Sequence, residues 1–134
     1  MEWKSQKKKI YPDVYAPNDK KEQITFFENI AELLDSTDFN AESNIIIGGD
    51  FNIIFDTDLD SSGGKPTIKD CVKIIKDLEL KHDLIDIWRI RNPETKRFTW
   101  RQKTPLIQRR LDFWLVDDVL QDDSIKTDIP SIKV

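Results

Sequence analysis

The sequence has one cysteine, Cys71, and one histidine, His82, in 134 residues. A lone cysteine excludes an internal disulfide and a cysteine-rich zinc site. His82 follows a helical pattern and sits between Lys81 and Asp83. That position suits the positive charge favoured at a helix C-terminus, and a hydrolase built on histidine has no other to use. Long apolar runs are also missing. Runs such as Ile45 to Ile47 and Phe113 to Val116 are far too short to cross a membrane, so no membrane partner is expected. The amino end, Met1-Glu2-Trp3-Lys4, lacks the apolar core of a signal peptide. An intracellular, reducing compartment is expected, and the nucleus if the chain is functional. Internal repeats and low-complexity tracts are absent. So is an excess of positive charge: the net charge is −4, and the chain as a whole is no basic clamp for nucleic acid.

What is present suits one globular domain. Hydrophobic residues make up 38% and charged residues 34%, which is polar but not a disordered composition. Basic charge is concentrated locally. Arg89, Arg91, Lys96, Arg97, Arg101, Lys103, Arg109 and Arg110 lie in one segment with a single acid, Glu94. Such a segment can face a polyanion inside an acidic protein, or form a solvated strand face.

Taken in order, residues 1–12 read as a lysine-rich loose arm and residues 13–134 as the domain. Asp13 to Asn18 reads as a strand end running into a turn at Pro17. Asp19 opens a helix, with Glu22 three residues later in a capping-box-like pattern. Ile24, Phe27, Ile30, Ala31 and Leu34 then recur at helical spacing. After a polar loop, Ile45-Ile46-Ile47 reads as a buried strand that ends on Gly48-Gly49-Asp50-Phe51-Asn52. A second helical pattern covers Thr67 to Lys81. Leu84 to Arg89 reads equally as a strand or a short helix. Arg97–Gln102 and Arg110–Val116 read as a hairpin joined across Thr104–Gln108, Asp117–Gln121 as a helical turn, and the tail as a last strand. The fold class is therefore α/β, with helices outside more than one sheet.

Two motifs are near misses. Asp56-Thr57-Asp58-Leu59-Asp60 has the alternating acids of a calcium loop, but Ser61 and Thr67 stand where an EF-hand needs glycine and glutamate. Ser62-Gly63-Gly64-Lys65-Pro66 lacks the upstream glycine and the hydroxyl residue of a phosphate loop. That leaves Tyr15, Asn18, Asp50, Asn52 and Asp112, each within or at the end of an expected strand, beside tight turns. Each can simply satisfy turn backbone or fill core. Together they form an oxygen-rich set that suits a hard divalent cation and a phosphate ester.

The motifs Tyr15-Ala16-Pro17-Asn18, Gly48-Gly49-Asp50-Phe51-Asn52, Phe98-Thr99-Trp100 and Arg110-Leu111-Asp112-Phe113 occur in the order seen in the endonuclease/exonuclease/phosphatase superfamily. With Asp83 to Arg89 and Asn92-Pro93, the stretch from Asp13 onward most resembles the apurinic-type endonuclease domains of non-LTR retrotransposons. The resemblance implies part of a two-sheet, four-layer α/β sandwich of the DNase-I-like kind and Mg²⁺-dependent cleavage of DNA phosphodiesters. It implies that Asp50 orients and deprotonates the attacking water, that Asn52 helps to hold it, and that Tyr15 hydrogen-bonds the scissile phosphate. Asn18 would shape the same turn. Asp112 matches the aspartate that buttresses a catalytic histidine, and Trp100 and Phe113 would support the site or the DNA-facing surface. Arg97, Arg101 and Arg110 are the basic residues expected to face phosphate. An ordinary aspartate titrates near about 3.9 and is a weak base at neutral pH, so a metal and a pre-organised phosphate would supply much of the activation.

The family's metal-binding glutamate and its final Ser-Asp-His signature have no counterpart here. The expectation is a domain truncated at both ends, with no complete metal site of its own and little nuclease activity alone. Two other readings stay open. One is a non-catalytic nucleic-acid-binding remnant that uses residues 89–110. The other is a superfamily branch that hydrolyses phosphate esters of lipids or inositides.

Overall fold

The computed structural model describes residues 8–10, 13–36 and 43–118. Most of the expected lysine-rich arm, most of the polar loop expected over 36–43, all but the first two residues of the helical turn expected over Asp117–Gln121, and the expected last strand lie outside them; Asp117 itself ends a strand. Lys8–Ile10 form strand β1 despite their arm-like composition, because ladder pairing uses backbone groups. Strand β2 is Asp13–Tyr15. Both run parallel to β3, Ser43–Asp50, β1 along its first half and β2 along its second.

Helix α1 is Lys20–Ser36. Asp19 Oδ2 accepts the backbone N–H groups of Lys21 and Glu22, both at 3.1 Å, which satisfies donors that a helix start leaves open. Phe27 and Leu34 are buried on its inner face, with Ile24, Ile30 and Ala31 packed beside them. Helix α2 is Val72–His82 and starts five residues later than the expected Thr67; Ile68, within the expected helix, lies before it and is exposed. Asp83 closes α2 in the left-handed conformation, its N–H donating to Glu79 O. The single histidine joins the helix ends: His82 Nε2 lies 3.0 Å from Asp35 Oδ1, and Lys81 Nζ lies 3.0 Å from the same oxygen. Lys81 first, then His82, hold the Asp35 carboxyl below its usual range.

Two sheets are present among the described residues, so the α/β class holds. The larger has strand order β1-β3-β8-β5, with β2 also on β3, where β5 is Leu84–Asp86 and β8 is Asp112–Asp117. The smaller has order β4-β7-β6, formed by Ser61–Ser62, Ile107–Arg109 and Trp100–Gln102. Alternation along β3 divides its isoleucines. Ile45 and Ile47 join Val72, Ile75, Leu78, Phe113 and Leu115 in the core under α1 and α2. Ile46 packs on the opposite face with Val116 and with Ile87 of helix α3, Ile87–Arg91.

The structure corrects the expected hairpin. Strand β6 pairs with β7, whereas β8 pairs with β3 and β5 in the other sheet. The segment Arg110–Val116 alternates poorly because the chain changes sheets at Arg110 and Leu111. Leu84 to Arg91 is strand and helix in succession. Asp86 ends β5 and caps α3, its side chain accepting the Arg89 N–H at 3.3 Å.

Candidate functional site

Three of the expected site residues form one row across the larger sheet. The parallel β2–β3 register sets Tyr15 beside Asp50, and the antiparallel β3–β8 register sets Asp50 beside Asp112. Val14, Phe113 and Leu115 face the helix-covered core, so alternation turns Tyr15 and Asp112 to the other face. Tyr15 is 79% exposed.

The backbone around the row is tied at each strand end. Ala16 N donates to Asp50 O at 2.8 Å, and Phe51 N donates to Leu111 O at 2.8 Å. Asn52 adopts a left-handed conformation, φ 54°, which asparagine tolerates better than most residues. Its N–H donates to Asp50 Oδ1 at 2.9 Å, and its Nδ2 donates to Ala16 O at 2.6 Å. The Gly-Asp-Phe-Asn turn and the Tyr-Ala-Pro-Asn turn are thus bonded to each other directly. Thr99 fixes the third strand. It is fully buried, and its Oγ1 accepts the N–H groups of Leu111 at 2.9 Å and Asp112 at 3.2 Å.

Beside the row lies a groove of about 320 Å³, with Asn18, Asn52, Trp100 and Leu111 in its wall and Lys65, Lys69 and Arg109 bringing positive charge. Of the expected phosphate- or DNA-facing residues, Asn18 and Trp100 line it. Arg97 and Arg101 are exposed and outside its lining. Arg110 is elsewhere: it is 1% exposed, with Nε 2.7 Å from Asp60 Oδ1 and Nη2 2.7 Å from Asp86 Oδ2. Lys65, Lys69 and Arg109 are not among the expected site residues, although Lys65 lies in the near-miss phosphate loop and Arg109 in the basic segment. Only the fold, which brings the 61–70 loop against β7, reveals them. Arg109 also anchors that loop, its Nη1 donating to Gly63 O at 3.1 Å.

The near-miss calcium loop resolves into two structural roles. Asp56 Oδ1 accepts the N–H groups of Asp58 and Leu59, each at 2.8 Å, and these bonds, Leu59 first, hold its carboxyl below the usual range. Asp60 is committed to the arginines. Among the described residues no group of three histidine, cysteine or acidic side chains is placed to hold a metal ion.

No family model matches the chain. Over 89 residues, 66% of its length, it is 34% identical to the transposon TX1 uncharacterized 149 kDa protein of Xenopus laevis. The chain spans 6% of that protein. Among the described residues no helix is long and apolar enough to cross a membrane.

A second cavity, of about 510 Å³, is lined by Arg110 with Asp60, Glu79, Asp86 and Arg89 among other charged and apolar side chains. Burial pushes the Glu79 carboxyl up; Lys76 at 3.6 Å opposes this, and Asp86 adds to it. Folded Glu79 therefore keeps its proton to higher pH than the unfolded chain does. Its contribution to stability is full below the unfolded pKa and lost as pH rises through the folded one. Glu79→Gln should raise the urea midpoint at pH 7, and the gain should vanish near about pH 3, below the ordinary glutamate range. A gain equal at both pH values would contradict this.

Proposed function

We propose that the Tyr15–Asp50–Asp112 row and its groove belong to a DNA phosphodiesterase site, and that the chain derives from the endonuclease region of a retrotransposon. The observation that carries this reading is the register that aligns those three residues, with Asn52 and Asn18 at the adjoining turns. The identity with a transposon protein supports the origin. In this reading Asp50 orients a water and takes its proton as the oxygen attacks phosphorus, and the sugar oxygen leaves. Exposed Tyr15 donates its phenol hydrogen to a phosphate oxygen, and Asp112 presents a carboxylate to the same edge. Mg²⁺, the cation implied by the resemblance, needs oxygen ligands beyond these two carboxylates. The nucleus is the proposed place of action.

A second reading, nucleic-acid binding without cleavage, is favoured by exposed Arg97 and Arg101. Both readings require DNA binding. The chain should bind a duplex oligonucleotide with an affinity that falls steeply with salt, and Arg97→Glu/Arg101→Glu should weaken it by about tenfold. Fluorescence anisotropy across a salt series checks this, and absence of binding at low salt removes DNA as the partner. Plasmid nicking with Mg²⁺ then separates the readings. Nicking that is lost in Asp50→Ala supports hydrolysis at this corner, and nicking that survives the substitution rejects the role of Asp50.

A further inference from the structure

Gln23 lies on the inner face of α1, one turn before Phe27, and has 0% exposure. Helical periodicity puts an apolar residue at such a position, where it would bury surface without a polar penalty. A buried amide is tolerated only if it is paired, and both ends of this one are used. Gln23 Nε2 donates to Asn52 O at 3.2 Å, and Cys71 Sγ donates to Gln23 Oε1 at 3.8 Å. The orientation is fixed by its partners, since a carbonyl can only accept. Asn52 is the left-handed residue whose N–H reaches Asp50 Oδ1 and whose Nδ2 reaches Ala16 O. Gln23 thus holds the one backbone group of Asn52 that those bonds leave open. Cys71, at the start of α2, brings the second helix to the same amide.

We propose that Gln23 is a positioning residue for the Asp50–Asn52 corner: it holds the left-handed Asn52 turn through its carbonyl, and Cys71 orients the amide that does so. The role rests on reading this corner as a phosphodiesterase site, but its structural content can be tested separately. Methionine matches glutamine in length and fills the same space without hydrogen bonding.

The test is amide hydrogen exchange by NMR on the labelled 134-residue chain. In Gln23→Met, protection of the Asn52 N–H should fall by about tenfold, while Ile47 and Leu115 in the strand interiors stay within about twofold of the wild type. Cys71→Ala should lower Asn52 protection in the same direction, by about threefold. It should also change the exchange of the Gln23 side-chain amide. Unchanged Asn52 protection in a folded Gln23→Met chain overturns the proposal. If that variant fails to fold, unchanged Asn52 protection in Cys71→Ala overturns it equally. Binding of duplex DNA by the wild-type chain is measured alongside. Its absence overturns the functional reading alone and leaves the turn result standing.

Discussion

Arg110→Ala should destabilise the chain by about 3–5 kcal/mol, a large share of the roughly 5–15 kcal/mol that holds a domain folded. The guanidinium bridges Asp60 and Asp86, each through a 2.7 Å bond, while Arg89 Nη2 reaches the same Asp60 oxygen at 2.6 Å. Burial works against the charge on Arg110, but the bonds and charges of Asp86 and Asp60 outweigh it and push its pKa up. Its flat face is also used, lying 4.4 Å from the Phe113 ring centre and 5.1 Å from that of Trp88. Removing it would leave buried Asp60 and half-buried Asp86 with one arginine between them, and an uncompensated buried charge costs more than a lost contact. Arg110→Lys should recover only part of the loss, because an ammonium cannot span two carboxylates as a planar fork does. Urea unfolding of the three chains measures both effects. Added salt should change the Arg110→Ala deficit little, since a buried pair is poorly screened. A deficit under about 1 kcal/mol would show that the network is dispensable.

The same arginine shows where the sequence could and could not be read. The three consecutive isoleucines of β3 can be read because they are buried on both faces, which periodicity reports directly. The start of α1 can be read because Asp19 is a local signal that acts on N–H groups two and three residues away. The strand that follows Arg110 cannot be assigned to its sheet in this way. Its partners, Ile46 to Asp50 and Leu84 to Asp86, are distant in sequence, whereas the hairpin expectation favours the neighbour in the chain. The role of Arg110 is hidden for the same reason: its type suits phosphate as well as it suits Asp60 and Asp86, and only tertiary structure chooses. Helix α3 is too short for its period to register, so Asp86 is its clearest local mark. In the candidate site, Tyr15, Asp50 and Asp112 stand out as residue types beside turns, and the register aligns them. Gln23 does not stand out, and Thr99 does so only as part of the Phe98-Thr99-Trp100 motif, because both act by bonding to backbone that folding alone brings near.

Gly49→Ala should cost about 3 kcal/mol or more, well above Gly48→Ala at about 1 kcal/mol, although the two glycines are adjacent. Gly49 has φ 139°, a conformation that side chains rarely adopt, and it lies opposite Val14 in the β2–β3 register. A Cβ there would overlap the Val14 carbonyl oxygen and approach Val14 N and C to 2.9 Å. Those are backbone atoms held in a ladder, so relief requires β2 to move away from β3. A Cβ on Gly48 would instead meet the ring of Trp114. That side chain is 43% exposed and can turn toward solvent. The difference therefore reflects which neighbour can yield, not the space available. Displacing β2 would also carry Tyr15 away from Asp50 and strain the bonds from Ala16 to Asp50 and Asn52. Urea midpoints of the two variants test the stability claim. Equal losses would mean that β2 shifts without resistance, and the alignment of Tyr15 with Asp50 would then be too soft to define a site.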